Sequence, residues 1–137
     1  MFSVVISPRF GDVDGLGHIN NVALACWFET ARNPLFAIVD PSLTINRETW
    51  PLIMAHTDYD FVNQIHFRDV EIRSFVDRIG TKSFTICHEA WQEGRLCAAG
   101  RAVLVYFNFQ TNQSRPIPEE IKRKLAGHLR PPSAGRV

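Results

Sequence analysis

Ten consecutive residues near the N-terminus, Asp12-Val13-Asp14-Gly15-Leu16-Gly17-His18-Ile19-Asn20-Asn21, bring together two carboxylates, an imidazole, two amides and two glycines. The chemistry such a group can carry is attack on an activated carbonyl. A carboxylate such as Asp14 can act as general base toward water or as nucleophile, and unpaired amides at a helix start can receive the developing oxyanion. Each residue also has a structural role open to it. Asp before Gly is a common turn pairing, Asn20 or Asn21 can cap a helix, and His18 can orient a carboxylate, donate to a carbonyl, ligate a metal or simply be hydrogen-bonded. Asp12 shares a face with Asp14 if the chain is extended, so the pair disfavours joint ionisation: one of the two is raised in pKa, or one is solvated. No second acidic or His cluster stands at metal-ligand spacing, so no metal is expected. Asp-x-Asp is also a feature of calcium loops and phosphoaspartate hydrolases. The first needs more acids and a downstream Glu; the second needs a following Thr or Val and a parallel α/β fold, and this chain has neither.

The cluster needs elements to hold it. Phe2 to Phe10, with Val4, Val5 and Ile6 at its centre, has the signature of a strand. Val22 to Val39 reads as one helix: Val22, Ala25, Cys26, Phe28, Ala31, Leu35 and Phe36 recur at three- and four-residue spacing, a stripe broad enough to bury on a sheet. Pro34 should bend or shorten its last turns. Glu29 and Arg32 stand one turn apart on it, as a surface ion pair worth about 0.2–0.5 kcal/mol or with Glu29 as a mid-helix catalytic acid. Trp27 and Phe28 read as core, or as the lining of an acyl pocket. Asp40 to Pro51 is a loop. Leu52–Phe61, Val70–Ile79, Ser83–Gln92 and Leu96–Phe109 are strands, and the Gly80-Thr81 and Glu93-Gly94 turns make their neighbours antiparallel. Glu119 to Leu129 is a polar helix with Pro118 at its start and acids in its first turn.

The resulting layout is α+β, one domain over residues 1–129, with a disordered tail over 130–137. A chain of 137 residues with 45 % hydrophobic content can bury one core. Its net charge of +1, from 15 basic and 14 acidic residues, gives no attraction to nucleic acid or an anionic membrane. No apolar run approaches the ~20 residues of a membrane span, and no signal peptide opens the chain. Cys26, Cys87 and Cys97, odd in number and without C-x-x-C spacing, read as free, buried thiols of a cytoplasmic protein. One helix over five strands leaves apolar surface uncovered, so a homodimer is expected. Lys82, after the Gly80 turn, is a solvated turn residue or a phosphate contact.

Arg9 to Asn21, followed by Trp27-Phe28-Glu29-Thr30-Ala31-Arg32, resembles the hotdog-fold acyl-CoA thioesterases of the 4-hydroxybenzoyl-CoA thioesterase type. The resemblance rests on D-x-D-x-x-G-H-x-N-N and E-x-A-R, in that order, and on the helix-then-sheet pattern through about residue 110. It implies a hotdog fold: an antiparallel five-stranded sheet wrapped around one long central helix, paired into a homodimer with active sites at the interface, with a dimer of dimers as further assembly. It implies hydrolysis of an acyl-CoA, or of an acyl-carrier-protein thioester, with no bound cofactor. Asp14 matches the family's carboxylate, the backbone N–H of Asn21 its oxyanion donor, His18 and Asn20 site-lining positions, and Lys82 one of the basic residues that hold CoA phosphates. Gly80 and Thr81 stand where further basic residues would be. A non-catalytic acyl-CoA-binding protein and an enoyl-CoA hydratase are the alternatives on the same fold. Phe28, Phe36, Trp50, Met54 and Phe61 suit either a long-chain tunnel or an aryl pocket.

Overall fold

The computed structural model describes residues 1–131. Six strands and three helices follow in the order β1 (Phe2–Ile6), α1 (Asn21–Ala31), α2 (Asn33–Val39), β2 (Leu52–Phe61), β3 (Val70–Ile79), β4 (Ser83–Gln92), β5 (Arg95–Asn108), β6 (Gln113–Ser114) and α3 (Glu119–Ala126). The antiparallel sheet runs β1-β3-β4-β5-β2, and the two-residue β6 adds to β5. Extra residues at Ala55, Asp77 and Cys97 break the register of β2, β3 and β5, and such insertions increase twist and bend a sheet.

The helices lie on the face of the sheet that carries the core. Ala23, Leu24, Trp27, Phe28 and Ala31 of α1 pack on Val70, Ile72, Ala90 and Ala98. Leu35 and Val39 of α2 pack on Val76, Phe84, Ile86 and Leu104, with Leu125 of α3 closing that end. Trp27 and Phe28 are therefore core residues. Burial of a side chain such as Phe28 is worth about 1.5–3 kcal/mol.

Four sequence expectations change here. The single helix Val22–Val39, and with it the one long central helix, is two short helices that meet at Arg32. Pro34 has no N–H to give to the Thr30 carbonyl, and its ring crowds that turn; the Leu35 and Phe36 amides both turn to the Arg32 carbonyl, each at 2.9 Å. β1 ends at Ile6 rather than running to Phe10, because Pro8 cannot donate to a ladder and Phe10–Asp12 form a turn of 3₁₀ helix. Cys26 is exposed; only Cys87 and Cys97 are buried, and all three thiols are free. Of the expected tail, Arg130 belongs to the fold. Its N–H donates to the Val76 carbonyl at 2.8 Å, extending the edge of β3 past the end of β1, and its guanidinium reaches Glu89 at 3.2 Å. Residues 132–137 lie outside the described residues. Among the described residues no helix is long and apolar enough to cross a membrane.

α1 seats closely because of Gly100 on β5. A Cβ there would lie 2.4 Å from the Asp58 carbonyl oxygen and 3.2 Å from the Phe28 ring. The Asp58 atom is backbone of the neighbouring strand, so relief requires strands to part. Gly100→Ala should therefore lower the unfolding free energy by about 1–3 kcal/mol, read from the urea midpoint; an unchanged midpoint would refute this account of the packing.

Candidate active site

The Asp12–Asn21 segment is held mainly by its own backbone. Val13 and Ile19 form an antiparallel bridge; within it the Asp14 N–H donates to the His18 carbonyl at 2.9 Å and the Gly17 N–H to the Asp14 carbonyl at 3.1 Å. Gly17 sits at φ +79°, a left-handed conformation that suits glycine. Two longer-range bonds dock the loop: Ile19 N–H to the Ile65 carbonyl at 2.9 Å, and Asn20 N–H to the Asp12 carbonyl at 2.7 Å. Asn20 then caps α1, its Oδ1 accepting the Val22 N–H at 3.0 Å. Asn21 is the first helical residue, and its own N–H has no acceptor among the described residues.

The two acids separate clearly. Asp12 is buried, its Oδ2 accepting the Arg9 backbone N–H at 2.8 Å and its Oδ1 the Arg9 guanidinium at 3.0 Å. Those hydrogen bonds hold its carboxyl below the usual carboxylate range. Asp12 is thus a structural acid, neither solvated nor raised in pKa. Asp14 is half-buried; its Oδ1 accepts the Leu16 N–H at 2.9 Å in an Asx turn. Turn and site readings coincide at this residue. Asp14, His18 and Asn21 line one open cavity of about 340 Å³, with Leu24, Phe61 and Ile65 among its apolar walls. The His18 ring lies 5.5 Å from that of His66, tilted by 58°. Among the described residues no cluster of three or more His, Cys, Asp or Glu is placed to hold a metal ion.

Other residues singled out in the sequence fall elsewhere. Lys82 is exposed in the β3–β4 turn, at the opposite end of β3 from Ile65, so within one protomer it does not meet the cavity. Glu29 and Arg32 are not a surface pair. Glu29 is exposed, whereas Arg32 is 3 % exposed and folds inward at the helix junction.

The inward turn of Arg32 creates a buried polar chain that sequence reading missed. Arg32 Nη1 lies 3.3 Å from His88 Nε2, and His88 Nδ1 lies 2.7 Å from Ser74 Oγ. A guanidinium only donates, so Nε2 is the acceptor and the proton sits on Nδ1, facing Ser74. Phe28 stacks on the His88 ring, 4.9 Å between centroids. Burial, and then the Arg32 charge, push the His88 pKa down to about 3. An imidazole that already donates toward serine, beside a cation that penalises imidazolium, cannot activate Ser74. This is not a nucleophilic Ser-His pair. The signal was available in phase: Ser74 and His88 occupy inward positions of strands otherwise filled by Val70, Ile72, Val76, Phe84, Ile86 and Ala90.

Residues 8–125 match the model of the thioesterase-like superfamily. The chain belongs to this superfamily. A Bacillus stearothermophilus protein described as a predicted thioesterase is 40 % identical, with a TM-score of 0.91 over 96 % of this chain and 98 % of that one. A Thermus thermophilus thioesterase, solved with coenzyme A and zinc, is 26 % identical, with a TM-score of 0.80 over 94 % and 95 % of the two chains. Among curated proteins, the uncharacterised YsmA of Bacillus subtilis is 25 % identical over 122 residues, 88 % of this chain and 82 % of its own length. The α+β architecture with its curled antiparallel sheet fits the hotdog fold of superfamily members, with two helices in place of one long one.

The buried imidazole has a thermodynamic signature. Unfolded histidine takes up a proton near pH 6.5, whereas folded His88 does so only near 3. Its contribution to stability is complete above pH 6.5. Between those values acidification favours the unfolded chain by about 1.4 kcal/mol per pH unit. Urea unfolding at pH 7, 6 and 5 should show the wild type losing stability slowly from pH 7 to 6 and at close to this slope from 6 to 5, with a shallower fall in His88→Gln; parallel curves would contradict a neutral buried His88.

Proposed function

We propose that this protein hydrolyses acyl-CoA thioesters to free acid and CoA, with Asp14 as general base or nucleophile and the Asn21 backbone N–H as oxyanion donor. The observation that carries the reading is the shared cavity: Asp14 and Asn21 line the same 340 Å³ space, and the Asn21 amide has no acceptor among the described residues. A thioester carbonyl is already activated and its thiolate is a good leaving group, so one carboxylate and one preorganised donor suffice. On the general-base route Asp14 takes a proton from water as the water oxygen attacks the carbonyl carbon, the C–S bond breaks, and the departing CoA thiolate receives that proton. On the nucleophilic route Asp14 forms a C–O bond to the acyl group as the C–S bond breaks and CoA thiolate leaves, and water then hydrolyses the anhydride to the free acid and restores Asp14. His18 supplies a wall of the cavity, and Asn20 acts through the cap that keeps the Asn21 amide turned outward. No cofactor takes part, CoA entering as part of the substrate.

Self-association completes the proposal. β2 is an outer strand with exposed Ile53, Met54 and Phe61, and Phe61 continues into the cavity wall. Pairing two copies along β2 would cover that edge and close the open side of the cavity. A homodimer, with a dimer of dimers as a further step, is the assembly we propose, acting in the cytoplasm. Lys82 meets CoA phosphate in this scheme only as Lys82 of the partner subunit. The Thermus thioesterase solved with coenzyme A supports the CoA class of ligand.

A binding-only reading has one observation in its favour: Asp14 Oδ1 is already engaged by Leu16, as in an ordinary turn. Free-thiol release from a panel of acyl-CoAs, varied in chain length and aromaticity, separates the two. Wild type should release thiol, and Asp14→Asn should lower kcat by about 10²–10⁴-fold with the same dimer mass by light scattering. Acyl-CoA binding without thiol release would establish the binding-only protein, and near-normal turnover in Asp14→Asn would remove Asp14 from the mechanism.

A further inference from the structure

Gln92 is a side-chain amide in the phase of the core. It is the last residue of β4, where Phe84, Ile86, His88 and Ala90 hold the preceding inward positions, and it is 5 % exposed. A polar group buried there needs partners. Among the described residues its side chain finds them in the backbone of the β2–β3 loop, residues 62–69. Oε1 accepts the His66 N–H at 2.9 Å, and Nε2 donates to the His66 and Arg68 carbonyls at 3.0 and 3.1 Å, with the Asp69 carbonyl at 3.5 Å. These partners fix the orientation of the amide, because an N–H can only donate and carbonyls can only accept.

One peptide group of the loop is engaged on both sides. The His66 N–H, held by Gln92, and the Ile65 carbonyl, which accepts the Ile19 N–H at 2.9 Å, belong to a single planar unit. The unit is trans, so the two groups point in opposite directions. It forms a rigid link from the sheet to the Asp12–Asn21 segment, and turning it disturbs both bonds at once. Ile19 stands two residues before Asn21, and Ile65, Ile19 and Asn21 all line the 340 Å³ cavity. The start of the same loop is held by other means. The Val62 and Asn63 N–H groups both donate to the Cys97 carbonyl, at 2.8 and 2.9 Å, and Asn63 Nδ2 donates to the Leu96 carbonyl at 2.8 Å. Gln92 therefore serves the second half of the loop, the half that touches Ile19.

We propose that Gln92 is a positioning residue for the candidate active site, fixing Ile19 through the Ile65–His66 peptide and so setting the place of the Asn21 amide. The consequence for turnover rests on the reading of that amide as oxyanion donor; the positioning itself is tested without turnover.

Amide hydrogen exchange on the full chain decides it, read at Ile19 and His66 against Val62 and Asn63. In the wild type, Ile19 and His66 should show the same protection, since one opening breaks both bonds. Gln92→Met fills a similar space without hydrogen bonds. It should speed exchange at Ile19 and His66 by about ten-fold or more and leave Val62 and Asn63 at wild-type rates. Gln92→Glu keeps an acceptor for His66 but sets a carboxylate oxygen against the loop carbonyls, and should do the same. If neither variant folds, the wild-type comparison still decides. Unequal protection of Ile19 and His66 in the wild type, undiminished protection of Ile19 in Gln92→Met, or an equal rise at all four amides would each overturn the proposal. In the thiol-release assay both variants should lower kcat by about 10–100-fold while KM moves by less than about three-fold. Undiminished kcat in a variant whose Ile19 amide has lost protection would overturn the consequence for turnover. A wild type that releases no thiol would overturn the Asp14 reading instead, and the exchange rates would still decide the role of Gln92.

Discussion

The depth at which α1 sits on the sheet governs everything else in this molecule. It is set by a missing side chain. With no Cβ at Gly100, the Phe28 ring comes down onto the sheet between His88 and Tyr59, stacked on each at 4.9 and 5.8 Å. A helix held that low presents its first amide to the loop that Asp12 and Ile65 dock against it. At the far end, the same depth draws Arg32 under the surface at the point where Pro34 stops α1. One close contact at mid-helix thus defines both ends.

The Asp12–Asn21 loop shows how identical residue types acquire different work through backbone wiring. Asp12 accepts from Arg9 twice and lends its carbonyl to Asn20, so its charge is consumed in building the turn. Asp14, two residues on, accepts from Leu16 through one carboxylate oxygen and lines the cavity. Holding a carboxylate by one oxygen restricts its rotation, and preorganisation of this kind is what a reacting group beside a fixed amide needs. The same Asx turn is compatible with a structural and with a reacting Asp14, which is why local sequence alone could not choose between them.

Much of the fold was legible because it is written in local patterns. β2, β3 and β4 begin and end where alternation and turn residues say, and Asn20 caps α1 as its type and position suggest. What escaped was non-local. Glu29 and Arg32, one turn apart, have the spacing of a surface pair; only the depth of the helix and the break at Arg32 reveal that one of them is buried. Pro34 was seen to disturb the helix, but whether a proline bends or ends one depends on which carbonyls the next amides find, and these converge on Arg32. Ser74 and His88 looked like ordinary strand residues until in-register pairing put them side by side with Gly100. Residue type alone points to a buried Cys26, yet it projects from the solvent side of α1. Arg130 follows a polar helix and precedes two prolines, and nothing nearby announces that Val76, Phe75 and Glu89 hold it.

The two ends of α1 also differ in electrostatics. Aligned peptide dipoles leave about half a positive charge at the N-terminus and half a negative charge at the C-terminus. Arg32 lies at the negative end, so the helix field favours its charged form. For Arg32 the field acts together with the carbonyls of the last turn, but half a charge spread over exposed groups does not balance a buried guanidinium. Burial accordingly pulls its pKa below the ordinary arginine value. The neighbouring His88 feels the remainder: with the cation on one side and Phe28 stacked on its face, the imidazole stays neutral and passes the hydrogen bond on to Ser74. A neutral residue cannot discharge the excess.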